Sequence, residues 1–157
     1  MELKDLISLD KVEEDNLAYN QNNIIINGDS LNVLKNISDN SVDLIFADPP
    51  YNIGKDFETN LDKWENIDSY VDWCKCWLDE CMRILKDNGT FYFMTATQHM
   101  PYLDVYVSER YHVISRIIWS YDSSGVQSKR NLAHYMNQFL WLLIIKIVNS
   151  HLMLMIL

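Results

Sequence analysis

Val42-Asp43-Leu44-Ile45-Phe46-Ala47-Asp48-Pro49-Pro50-Tyr51 decides how the rest of the chain is read. Its first six residues are apolar apart from Asp43, and a short apolar run closed by turn residues reads as a buried strand. Proline has no N–H to give a sheet ladder, so the strand must stop at Asp48 and the chain must turn. An acidic side chain, a rigid turn and an aromatic ring are thereby set at the carboxyl end of a strand. That is where open α/β sheets bind their ligands.

Working outward, Ile24-Ile25-Ile26 followed by Asn27-Gly28-Asp29 reads as an earlier buried strand ending in a turn. Asp29 or Ser30 can cap a short helix from Leu31 to Ile37. Downstream, residues 52–65 are polar loop. Tyr70, Val71, Cys74, Trp77, Leu78, Cys81, Met82 and Leu85 then trace an amphipathic helical stripe beginning near Asp68. Asn88-Gly89 has the form of a left-handed helix end. Thr90 to Thr95 is a third strand, Met100 to Val107 a further helix, and Val113 to Tyr121 a fourth strand. Strands alternating with helices predict an α/β domain with a largely parallel sheet. Trp64, Trp73, Trp77 and Trp119 are expected in the packing.

The composition narrows the function. The chain has 157 residues, a formal net charge of −9 and only four glycines, Gly28, Gly54, Gly89 and Gly125. No two are close enough to form a glycine-rich phosphate loop. The net charge argues against a general nucleic-acid sponge, although a local basic site is set by distribution and not by the sum. Cys74, Cys76 and Cys81 have no histidines at zinc spacing, so they read as reduced thiols of a cytoplasmic protein and no metal site is expected. No signal peptide opens the chain.

The turn has a definite chemistry. The Asp48 carboxylate and the carbonyls of the Pro49-Pro50 turn form a cluster of acceptors, suited to an –NH₂ group that offers two protons. Tyr51 offers a flat face for a planar base. The exocyclic amine of a purine is a weak nucleophile because its lone pair is delocalised into the ring. Holding both N–H bonds between acceptors favours a pyramidal nitrogen whose lone pair faces an electrophilic methyl group.

With these residues goes a resemblance. Asn27-Gly28-Asp29-Ser30-Leu31, the stretch from Ser41 through Asp48-Pro49-Pro50-Tyr51-Asn52, and Leu85-Lys86-Asp87-Asn88-Gly89-Thr90 resemble the amino-methylating, adenine-N6 DNA methyltransferases. The likeness is to members whose catalytic motif precedes the S-adenosylmethionine motif, and it covers roughly residues 24–135. It implies a Rossmann-like methyltransferase sheet, incomplete at its C-terminal end. It implies S-adenosylmethionine as cofactor, with Asp29, Asp48 and Pro50 against it, and Asp29 near the cofactor's adenine. On residue chemistry alone Asp29 is equally well a helix cap. It further implies that Asp48, Pro49, Pro50 and Tyr51 are catalytic, Asp48 and Pro49 binding the target amine and Tyr51 stacking on the flipped base. Ser123 to Arg130 resembles the family's loop beside the DNA-facing region, where Lys129 and Arg130 would hold phosphates. The implied partners are double-stranded DNA with a flipped adenine, a second copy of the chain and a cognate restriction endonuclease. Two other readings stay open here: a cytosine-N4 or other amine methyltransferase, and a non-catalytic remnant. Asp at the head of the motif favours adenine.

The last segment departs from the family pattern. Residues 136–157 hold one charged residue, Lys146, and no glycine follows Gly125. No Asp or Glu follows Asp122, so the glycine turn and the ribose-holding acid of the family's cofactor motif are missing. A membrane span is disfavoured by Lys146, which would cost about 2.5–3.5 kcal/mol near the centre of a bilayer. Codons for Met136 onward, read one base out of phase, permit Glu-Pro-Ile-Phe-Met-Ala, close to the family's usual continuation. The expectation is a catalytic N-terminal part over residues 1–135 and an out-of-frame apolar tail over residues 136–157.

Overall fold

The computed structural model describes residues 17–19, 24–54, 62–121, 138–144 and 153–156, with side chains described within 24–54 and 62–119. The elements in order are β1 (Leu17–Tyr19), β2 (Ile24–Ile26), α1 (Ser30–Leu34), β3 (Val42–Ala47), α2 (Ile67–Ile84), β4 (Leu85–Ala96), α3 (Met100–Ser108), β5 (Ser115–Tyr121), β6 (Gln138–Ile144) and β7 (Met153–Ile156). A five-stranded sheet has the order β5-β6-β4-β3-β7. β3 is parallel to both β4 and β7, whereas β6 is antiparallel to β4 and β5. The α/β class therefore holds, and the sheet is largely parallel in direction, with β3, β4, β5 and β7 running one way and β6 the other. β6, inserted between β4 and β5, is the one reversed strand among the described strands of this sheet, and the edge strand β5 beyond it runs with β4.

The Ile24–Ile26 strand is a second correction. It pairs antiparallel with β1 in a separate two-stranded sheet, with Ile25 opposite Ala18. Ile25 is 72% exposed, so the run is not buried on both faces as three consecutive isoleucines suggested.

The core lies between α2 and the sheet. α2 starts at an Asn66–Ser69 capping box, which satisfies two otherwise unpaired backbone donors. Its buried residues, Tyr70, Val71, Cys74, Trp77, Leu78, Cys81 and Ile84, recur at three- and four-residue spacing and form one face. Phe91 and Phe93, two apart on β4, meet the Trp77 ring edge-on at 6.4 and 5.9 Å. Arg83, in the last turn of α2, donates to Leu34 O at 2.8 Å and Ile37 O at 2.9 Å and pairs with Asp39 and Glu80. Arg83 thus reaches carbonyls at and just after the end of α1, where helical donors run out, Leu34 O also accepting from Ile37 N at 3.0 Å.

The Asn88-Gly89 reading is corrected as well. α2 ends at Ile84 and runs directly into β4, and Gly89 lies inside the strand. Val42 pairs with Leu85 and Leu44 with Thr90, so β4 spends extra residues on a bulge opposite two residues of β3. A Cβ at Gly89 would stand 2.7 Å from Leu85 Cδ1 and 3.0 Å from Asp43 O. Glycine is there for a close approach and not for a left-handed turn. Trp64, Trp73 and Trp77 pack as expected, but Trp119 is 56% exposed because β5 is the edge strand. Arg116 of β5 holds Asp104 of α3 through two bonds of 2.8 and 2.7 Å. Among the described residues no helix is long and apolar enough to cross a membrane.

Candidate active site

β3 buries Ile45 and Ala47 completely and delivers Asp48 at its carboxyl end, partly exposed. Pro49 is buried and Pro50 and Tyr51 partly so. The Tyr51 hydroxyl donates to Asp48 Oδ1 across the turn. The Tyr70 hydroxyl, reaching up from the first turns of α2, donates to Pro50 O at 3.0 Å. This alters the expected acceptor cluster: the Pro50 carbonyl is taken by a protein donor. The two tyrosine hydroxyls thus engage one Asp48 oxygen and the Pro50 carbonyl.

After Tyr51 the chain turns sharply. Asn52 has φ 52° and Gly54 φ 73°, both left-handed, a region that asparagine and glycine enter most readily. The Asp62 carboxylate, 1% exposed, accepts from Asn52 N at 2.6 Å and Ile53 N at 3.1 Å. Trp64 N donates to Asn52 Oδ1 at 3.2 Å, and Gly54 N to Asp62 O at 3.3 Å. Behind the turn stands an aromatic group: Trp64 against Tyr70 at 4.9 Å, Trp64 against Trp73 at 4.8 Å, and Tyr70 against the His99 ring at 4.8 Å.

Burial favours the neutral forms of Tyr70 and His99 behind the turn. Burial pushes the Tyr70 phenol far above its usual range, so it remains a donor to Pro50. Burial likewise lowers His99 below the usual histidine value, opposed by the Asn52 and Tyr51 backbone and by the charge of Asp62. His99 is 6% exposed, and Gln98 Nε2 lies 3.1 Å from its Nε2.

Asp48, Pro49, Pro50 and Tyr51 thus stand together, as one contiguous turn must. Asp29 is the N-cap of α1, its side chain accepting from Asn32 N at 2.9 Å. Lys129 and Arg130 fall outside the described residues. Sequence reading missed Asp62, Tyr70 and His99. Only Tyr70 carried a signal, since a tyrosine on a buried helix face needs a partner for its hydroxyl.

Comparison with known proteins decides what this turn belongs to. A family model described as DNA methylase matches residues 42–146, two thirds of the chain. The chain belongs to this DNA methylase family. The DNA adenine methyltransferase YhdJ of Escherichia coli is 48% identical over 112 residues, covering 71% of this chain and 38% of that protein. The type II methyltransferase M.HpaI of Haemophilus parainfluenzae is 40% identical over 79 residues, half of this chain and 25% of the relative. The chain therefore spans well under half the length of these relatives. Among solved structures, the cytosine-N4-specific PvuII DNA methyltransferase superposes with a TM-score of 0.59 at 17% identity, covering 76% of this chain and 47% of that one. A putative DNA modification methylase of Thermus thermophilus, complexed with S-adenosyl-L-methionine, gives 0.53 at 18%, covering 79% and 55%. These two likenesses establish the shared Rossmann-like methyltransferase sheet.

Proposed function

We propose that this chain carries the amine-binding half of a DNA methyltransferase that moves a methyl group from S-adenosylmethionine to the exocyclic amine of adenine. The observation that carries this is the Asp48-Pro49-Pro50-Tyr51 turn at the end of β3, with Asp48 partly exposed and Pro50 anchored from below by Tyr70. Asp48 and the Pro49 carbonyl accept the two amine protons, so that negative charge faces the nitrogen as it becomes positive in the transition state. Tyr51 presents its ring to the flipped base. The adenine assignment rests on the E. coli relative, which is named an adenine methyltransferase.

The cofactor fits these residues at one end. A carboxylate at a strand terminus complements a cationic sulfonium, and Asp29 keeps a second oxygen for a donor beyond its cap bond to Asn32. When bound, S-adenosylmethionine would supply the electrophilic methyl group, with Asp48 and Pro50 beside it and Asp29 toward its adenine. Lys129 and Arg130 are proposed to hold DNA phosphates, and a second copy of the chain and a cognate restriction endonuclease are its proposed partners. Cytoplasmic residence goes with a DNA substrate.

Residues 1–135 are proposed as the catalytic N-terminal part and residues 136–157 as an out-of-frame tail. The support is the loss of all acidic residues after Asp122 and the alternative frame at Met136. The family match extends to residue 146, and Gln138–Ile144 forms β6. An apolar run can fill a strand between two others by bulk and backbone pairing alone, whatever frame encoded it. Sequencing the locus tests this: DNA that never resumes a cofactor motif in another frame sinks the tail assignment. The function itself is tested by nucleoside mass spectrometry of duplex DNA incubated with S-adenosylmethionine and the purified chain or its frame-restored form. N6-methyladenine is expected, faster from the restored form; N4-methylcytosine would transfer the site to the cytosine reading.

A further inference from the structure

Asp62 belongs to no motif, yet it is the most deeply buried charged side chain among the described residues, at 1% exposure. A buried carboxylate is costly unless its oxygens are hydrogen-bonded. Here both oxygens are used, and on one target: Oδ1 takes Asn52 N at 2.6 Å and Oδ2 takes Ile53 N at 3.1 Å. Bonds from N–H to an ionised acceptor are the stronger kind. Two more bonds tie the same two segments, Trp64 N to Asn52 Oδ1 and Gly54 N to Asp62 O. The clasp closes on a residue held at φ 52°, immediately after Tyr51. A backbone held in a sparsely populated region persists only where its surroundings over-determine it.

We propose that Asp62 is a positioning residue for the amine-binding turn: by gripping the Asn52 and Ile53 amides it fixes where the Tyr51 ring and the Asp48 carboxylate stand. The proposal rests on the amine-methylation reading of that turn. Asn52 is bonded directly to Tyr51, whose hydroxyl reaches Asp48, so a rotation at Asn52 carries the ring away from the carboxylate. Pro49 and Pro50 fix the turn from its strand side, and Tyr70 fixes it from below. Asp62 supplies the remaining constraint, on the far side. Misplacement of a positioned group by about 1 Å can cost a hundredfold in rate, so a remote clasp of this kind reaches the chemistry.

The test uses the ¹⁵N-labelled chain, with deoxyadenosine as probe and thymidine as the control without an exocyclic amine. Asp62→Asn keeps the shape and one acceptor while removing the charge. Its deoxyadenosine affinity is expected to fall roughly tenfold, the scale of a lost bond to a charged group. Thermal unfolding should stay cooperative, while the Asn52 and Ile53 amides move upfield and exchange faster. Unmoved amides would show that there is no clasp, and moved amides with unchanged affinity would show that the clasp positions nothing; either overturns the proposal. If Asp62→Asn does not fold, Asn52→Ala acts on the same turn from outside. It should weaken binding, and Asn52→Gly, free to adopt the left-handed φ, should recover most of the loss; full affinity in Asn52→Ala overturns the proposal. A wild-type chain that does not prefer deoxyadenosine to thymidine sinks the amine reading instead. The positioning role is then judged on the Tyr51 ring resonances, which shift in Asp62→Asn if it holds and stay in place if it does not.

Discussion

At the scale of single residues, Tyr51 has two separable parts. Its hydroxyl donates to Asp48, and its ring is the face proposed to meet a base. Tyr51→Phe removes only the first and should leave methyl transfer within about fivefold, whereas Tyr51→Ala should lose at least about tenfold, since stacking on an aromatic ring contributes about 1–3 kcal/mol per base. Single-turnover rates of the two variants measured side by side separate these roles. His99 gives a pH prediction. Its folded value lies below the ordinary 6.5 because it is buried, so on acidification the unfolded chain takes up a proton that the folded chain resists. The stability tied to neutral His99 is complete above pH 6.5 and is lost as pH falls toward the lowered value. Thermal midpoints should therefore drop as pH falls below 6.5, and His99→Gln should flatten that part of the profile. The groups around the ring are Gln98, Tyr70, the charge of Asp62 and the backbone of Tyr51 and Asn52. The Asp48–Tyr51 turn was legible in sequence because it is contiguous and ends a strand. Asp62 and His99 were not, because their contacts reach across the chain to residues 51–53 and have no local period. Asp29 shows an intermediate case: its cap bond to Asn32 was readable from residue type, while its relation to a cofactor was available only through resemblance.

At the scale of elements, the start of α2 was readable to within about a residue, because its buried side chains repeat at helical spacing from Tyr70 onward. Its end was not. Asp87-Asn88-Gly89 has the composition of a helix stop, but the helix has already ended at Ile84 and the same residues form a bulge in β4. The bulge is held from outside by Lys86 on Asp43 at 2.8 Å and by Asp87 N on Asn40 Oδ1 at 3.0 Å. Composition marks a break in regular structure without saying which kind. The distinction yields a prediction. Were Gly89 a left-handed cap, alanine would be penalised by its φ alone. In the bulge the added Cβ meets Leu85 Cδ1 at 2.7 Å and the Asp43 carbonyl at 3.0 Å, and of the two only the side chain can yield. Gly89→Ala should destabilise the chain by about 1–3 kcal/mol through overpacking. Denaturant unfolding of Gly89→Ala beside the double variant Gly89→Ala/Leu85→Ala checks the cause. If Leu85 is the obstacle, Leu85→Ala should cost less on top of Gly89→Ala than it does alone.

At the scale of the whole molecule, the alternation of strands and helices was sufficient for the α/β class and a largely parallel sheet but not for the reversed strand within it. The one reversed strand is β6, drawn from an apolar segment without the turn signals that would mark a reversal. The order β5-β6-β4-β3-β7 places β3 beside β4 in the interior of the sheet, so the Asp48–Tyr51 turn rises from a strand flanked on both sides by neighbours. Support for that turn comes from α2, from the segment around Asp62 and from His99 at the start of α3, three parts of the chain that meet only in the folded state. The central claim is that Asp48 holds an adenine amine for methyl transfer. It is tested most directly by mass spectrometry of nucleosides from duplex DNA treated with S-adenosylmethionine and the purified protein, carrying either Asp48 or Asp48→Ala. The account predicts N6-methyladenine with Asp48 and a loss of at least about a hundredfold with Asp48→Ala, the scale set by removing a preorganised charge-stabilising group. Undiminished N6-methyladenine from Asp48→Ala, or methyl groups on cytosine alone, would contradict it.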